Sequence, residues 1–106
     1  MSEVFEVGSL LHRITRDQPY HEFLRIPAMS AGVYVLSAAA TDRQRPHQQD
    51  EIYYVVRGKA KMRLGEEDRS IQEGSVIFVE SGLEHRFFDI EQELVLLVVF
   101  APAETS

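Results

Sequence analysis

Hydrophobic and polar positions along the chain fall into short apolar runs divided by turn-forming residues, without the spacing of an amphipathic helix. From Ser30 onward the runs read as strands. Val33, Tyr34, Val35 and Leu36 form the first, and Ala38 to Pro46 is a polar loop. Ile52 to Val56 predicts a second strand, closed by Arg57-Gly58, and Lys59 to Leu64 alternates charged and apolar residues as a strand with one wet face does. Gly65-Glu66-Glu67-Asp68 predicts a hairpin, with Arg69 to Ile71 pairing back. Glu73-Gly74 turns the chain into Val76 to Val79, Ser81-Gly82 into His85 to Ile90, and Glu91-Gln92 into Leu94 to Phe100.

Strands at this spacing predict an all-β sandwich or barrel. Ile52 to Val56, Val76 to Val79 and Leu94 to Phe100 are apolar on both faces, whereas a singly solvated sheet alternates more cleanly. One face must line the interior. The other must meet a second sheet, the N-terminal arm or another subunit, and the expectation is a homodimer. Residues 1–29 read as that arm. Ser9 is placed to cap one or two helical turns through Leu10, Leu11 and Ile14, and Pro19 stops them. Tyr20 to Pro27 shows no clear period. The expected division is an arm over 1–29, a barrel over 30–102 and a tail over 103–106.

Composition narrows the function classes. The chain has 106 residues, 44% apolar and 26% charged, with a net charge of -6. That fits one soluble globular domain. An acidic chain has no attraction for phosphate backbones or anionic lipid, so neither nucleic acid nor membrane is an expected partner. It has no cysteine, which excludes disulfides, thiolate ligands and cysteine nucleophiles. The start, Met1-Ser2-Glu3-Val4, lacks the basic flank and apolar core of a signal peptide, and Leu94 to Ala101 is too short to span a bilayer. The expected location is cytoplasmic.

Two segments carry chemistry. His47 and Glu51 sit at the mouth of the Ile52 strand, and His85 heads a later apolar run. In a straight strand His47 and Glu51 would be roughly 13 Å apart, so Gln48-Gln49-Asp50 must bend if both are to reach one ion. Glu51 should share a face with Tyr53 and Val55, and His85 with Phe87. The result is a mostly apolar cavity with a few polar groups at its rim. Two imidazoles and one carboxylate make a facial triad with open positions, suited to divalent iron, manganese, nickel, copper or zinc. The alternative for Glu51 is an ion pair with Arg45 or Arg86. His12 and His21 have no ligand spacing around them and read as surface or interface residues. Arg45 and Gln49 read as rim residues able to hold a polar or anionic substrate, and Tyr53 and Phe87 as pocket wall.

Over residues 30 to 101 the sequence resembles the small single-domain cupins. Their first motif, G-x5-H-x-H-x3-4-E-x6-G, is matched at His47, Glu51 and Gly58, with Ala39 in place of the first glycine and Arg45 in place of the first histidine. Their second, G-x5-P-x-G-x2-H-x3-N, is matched at Gly74, Gly82 and His85, with Glu80 for the proline and Asp89 for the asparagine. The resemblance implies a double-stranded β-helix, or jelly-roll, barrel. It also implies three protein ligands, His47, Glu51 and His85, with water, substrate or Gln49 filling the place that Arg45 leaves. A metalloenzyme of dioxygenase, isomerase or decarboxylase type acting on a small molecule is the expected function, since this fold supports all three. A non-catalytic small-molecule-binding module and a metal-free structural barrel are the alternatives.

Overall fold

The computed structural model describes residues 2–38, 40–42 and 46–105. A one-turn helix α1 (Val7–Leu10) runs into a 3-10 turn (Leu11–Arg13), and six strands follow: β1 (Tyr20–Ile26), β2 (Met29–Leu36), β3 (Asp50–Leu64), β4 (Glu67–Gln72), β5 (Val76–Val79) and β6 (His85–Ala101). The strands lie in the order β1-β2-β6-β3-β4, with β5 also paired to β3, and every pairing is antiparallel. The fold is the all-β jelly-roll barrel expected from the sequence.

Three local expectations are corrected. Ser9 does not cap the helix; Glu6 occupies that place, with no side-chain cap bond. Gly58 does not close a strand and Glu91-Gln92 does not turn the chain. Instead β3 and β6 run on through both sites as strands of 15 and 17 residues. They pair along their whole length, from Asp50↔Ala101 to Leu64↔His85, with register shifts between Val55 and Lys61. Gly58 has φ +113°, and a Cβ there would collide with the Glu93 carbonyl. Only glycine lets the two backbones approach so closely at the bulge. The polar residues that look like a turn are cross-strand charges: Arg57 faces Glu93 at 3.9 Å, Lys59 faces Glu91 at 3.5 Å and Lys61 faces Asp89 at 3.8 Å.

These bulges have a consequence for the site. Along a straight ribbon, Glu51 and His85 would stand roughly 40 Å apart, at about 3.3 Å per residue. In the folded chain their side chains are 3.3 Å apart. The β3–β6 ribbon therefore bends sharply and folds its two halves face to face. Between them lies the apolar core of Tyr53, Val55, Met62, Phe87, Leu94 and Leu96 with their neighbours.

The segment before β2 also differs from its sequence pattern. Tyr20–Ile26 is a strand, paired to β2 from Tyr20↔Tyr34 to Ile26↔Met29, with a register shift between Glu22 and Leu24. On the outer face, Ile52 and Tyr54 of β3 lie opposite Phe78 and Val76 of β5, and all four are exposed. Among the described residues no helix is long and apolar enough to cross a membrane.

Candidate metal centre

The sequence requires a bend between His47 and Glu51, and the chain bends at Gln48-Gln49 before β3 begins at Asp50. His85 enters from the other side, after the turn containing Gly82, whose φ of +80° suits glycine. The two segments are laced together. The Gly82 N–H donates to the His47 carbonyl at 2.7 Å, the Ser81 N–H to Asp50 Oδ1 at 2.9 Å, and the Ser81 hydroxyl to the Gln48 carbonyl at 2.6 Å. The backbone thus fixes the spacing of both histidine-bearing loops.

One donor atom from each of His47, Glu51 and His85 falls within 4.8 Å of the other two. The side chains of Glu51 and His85 are 1% exposed, and that of His47 is 21% exposed. His85 is oriented by its Nδ1, 2.9 Å from the Leu83 carbonyl. That contact makes Nδ1 the protonated nitrogen and turns Nε2 toward Glu51 Oε1, with the Tyr53 hydroxyl 3.2 Å away. Burial opposes a charge on His85. The Glu51 carboxylate and the Leu83 carbonyl outweigh it, so the His85 pKa sits above the usual imidazole value.

Glu51 is the anomaly. Its two carboxylate oxygens are buried and, among the described residues, neither has a partner in hydrogen-bonding geometry, although His85 Nε2 is 3.3 Å away. A carboxylate withdrawn from water in this way is costly unless something positive meets it. The donor set fits a divalent cation: one hard anionic oxygen and two imidazoles, that of His85 held from behind at Nδ1 by the Leu83 carbonyl. Among the described residues, the ionisable bases grouped with Glu51 are His85, 3.3 Å away, and His47. Arg86 instead stacks on Phe88, 5.3 Å from its ring centre. Arg45 lies outside the described residues.

The centre opens into a cavity of about 1020 Å³. Its wall is mostly apolar and aromatic, with Tyr34, Leu36, Tyr53, Val98 and Phe100 among the lining, and Ile14 and Arg16 reach it from the N-terminal segment. Tyr20 contributes a buried hydroxyl that has no hydrogen-bond partner among the described residues. Its ring lies against β2 where Gly32 has no side chain, since a Cβ there would overlap the ring. Burial, helped by Glu104 and Glu22, pushes the Tyr20 hydroxyl pKa up, so it stays a neutral donor.

A family model for the cupin domain matches residues 32–100. The chain belongs to the cupin domain family. This cupin is 45% identical over 93 residues to an uncharacterised protein of Streptomyces coelicolor, covering 88% of this chain and 89% of that one. Among solved structures it is similar to a Thermus thermophilus protein, with a TM-score of 0.80 and 24% identity over 96% of this chain and 99% of that one. It is also similar to the DMSP lyase of Ruegeria pomeroyi, with a TM-score of 0.69 and 20% identity over 84% of this chain and 51% of that one. At these identities the two structures establish the fold alone.

The chain brings together His47, Glu51, His85 and Tyr53. Two other residues read from sequence sit elsewhere. Gln49 is buried rather than solvated, and its amide donates to the Thr105 hydroxyl at 3.0 Å. Phe87 is a core residue packed edge-on to Tyr53, with ring centres 5.0 Å apart. His12 lies in the 3-10 turn and His21 on β1, neither grouped with other ligand-type residues. Sequence reasoning missed Tyr20, because β1 shows no period, and it missed Glu104. The Glu104 carboxylate lies 3.0 Å from His47 Nδ1 and also lines the cavity.

Proposed function

We propose that this cupin binds one divalent transition metal through His47, Glu51 and His85 and acts as a small-molecule metalloenzyme of dioxygenase or isomerase type. The observation that carries the reading is the buried Glu51 carboxylate, without a hydrogen-bond partner at either oxygen among the described residues and flanked by two imidazoles. Iron, manganese, nickel, copper and zinc all suit this donor set. A bound ion of this kind supplies a Lewis acid with open coordination positions.

The chain's own residues do the rest. Glu51 provides the anionic donor, and the Leu83 carbonyl keeps a proton on Nδ1 of His85 so that Nε2 remains a donor. The apolar wall of Tyr53, Val98 and Phe100 excludes water from the polar end of the ligand. The unpartnered Tyr20 hydroxyl donates to an acceptor on that ligand. The ligand class is therefore a small, largely apolar molecule with one metal-binding end and one further hydrogen-bond acceptor. A second copy of the chain covers the exposed Ile52, Tyr54, Val76 and Phe78 as a homodimer. The protein works in the cytoplasm.

Calorimetric titration of chelator-stripped protein with each of the five metals tests the metal reading. One site per chain for at least one metal, abolished by Glu51→Gln, is expected. No binding of any of them would overturn it.

A further inference from the structure

We propose that Glu104 is a positioning residue for the metal centre: its carboxylate accepts the Nδ1 proton of His47 and so presents Nε2 to the ion. The inference rests on the metal reading above and adds a part of the chain that neither family motif contains. Three contacts hold Glu104 and its neighbour Thr105 in place. Its backbone N–H donates to the Ser30 hydroxyl at 2.9 Å, and Ser30 is fully buried on β2. Its carbonyl accepts from Arg25 Nη2 at 2.8 Å, and Arg25 is itself held by two hydrogen bonds to Glu22. The next residue, Thr105, accepts from the buried Gln49 amide, two positions from His47.

The segment after β6 therefore acts as a strap, fixed at β1, at β2 and at the loop that carries His47. It delivers one carboxylate oxygen to within 3.0 Å of the His47 ring. Phe100 meets the same ring edge-on, with centres 4.9 Å apart, and limits its rotation. A ring nitrogen that donates to a carboxylate fixes the tautomer and makes the other nitrogen a better ligand. His85 has the equivalent support from a backbone carbonyl. With Glu104 the two histidines are matched, each held at Nδ1 and left with Nε2 for the ion.

The test uses cobalt(II) as the probe, with binding followed by its visible absorption in wild type, Glu104→Ala, Glu104→Gln and Ser30→Ala. Glu104→Ala is expected to weaken cobalt binding by about 10- to 100-fold, the usual effect of losing such a partner, with one ion still bound per chain and the band positions unchanged. Glu104→Gln keeps an acceptor oxygen and recovers part of the loss. Ser30→Ala loosens the strap and weakens binding in the same direction. A strap that merely packs would not distinguish Gln from Ala. Equal affinity in wild type and Glu104→Ala overturns the inference while leaving the metal reading intact. Displaced bands in Glu104→Ala also overturn it, since they make Glu104 a direct ligand. A wild type that binds no cobalt and no other divalent metal removes both.

Discussion

Replacing Glu51 by Gln should reverse the order of stability according to whether metal is present. Glu51 is 2% exposed and both carboxylate oxygens lack hydrogen-bond partners. A buried carboxylate carries a desolvation penalty of several kcal/mol, and His85, 3.3 Å away, does not meet it in hydrogen-bonding geometry. Gln has the same shape, no charge, and an amide able to donate to His85 Nε2. With His85 neutral and no metal, the variant should therefore be more stable than wild type by about 1–3 kcal/mol, the cost of leaving a buried polar group unsatisfied. For a domain of this size each kcal/mol moves the midpoint by about 4–8 °C. With metal at a hundredfold excess over Kd, wild type gains about 2.7 kcal/mol and the variant, lacking its anionic donor, gains little. The assay is thermal unfolding of both proteins with chelator and with metal. A variant less stable than wild type in chelator, beside a wild type that metal leaves unmoved, would refute the reasoning. Glu51 would then be the structural partner of His85 and the barrel metal-free.

Three further outcomes follow from other residues. Gly58→Ala forces a side chain into the Glu93 carbonyl at a positive φ and should cost about 1–3 kcal/mol or more by urea denaturation; it should also weaken metal binding, because the bend there brings Glu51 to His85. Tyr20 and Tyr34 both have pKa values raised by burial, so their neutral forms stabilise the fold fully below pH of about 10, and that stability is lost as pH rises through the raised values. Phenolate absorbance should accordingly show tyrosines that titrate only on unfolding, and Tyr20→Phe should flatten the alkaline loss; ordinary titration of every tyrosine in the folded protein would contradict this. Phe78→Glu, at an exposed apolar position on β5, should convert the proposed dimer to monomer in light scattering without changing metal affinity, and a wild type already monomeric at high concentration would contradict that proposal.

Much of the site was legible because its chemistry lies in short sequence intervals. The polar bend at Gln48-Gln49 follows from the reach of His47 and Glu51, and Gly82 marks the turn before His85. The strand faces were also legible, with Glu51, Tyr53 and Val55 buried together and Phe87 buried beside His85. Elsewhere local pattern gave way to tertiary geometry. The Glu22/Leu24 register shift moves Phe23 and Leu24 out of phase, so β1 carries no readable period. Gly58 and Glu91-Gln92 resemble punctuation, but they are a bulge and a row of cross-strand charges within continuous strands. Such exposed pairs contribute little stability, so their value is in keeping the outer ribbon wet. Glu104 could not be found from sequence at all. Its partner His47 is 57 positions away, and no motif joins a polar residue after the last strand to the metal loop.

The central claim, that His47, Glu51 and His85 hold one metal ion, is tested most directly by elemental analysis of protein purified without chelator or a nickel column, wild type beside His85→Ala. About one equivalent of a transition metal per wild-type chain, absent from the variant, is the predicted result. A wild type without metal, which takes up none of iron, manganese, nickel, copper or zinc on reconstitution, would contradict it.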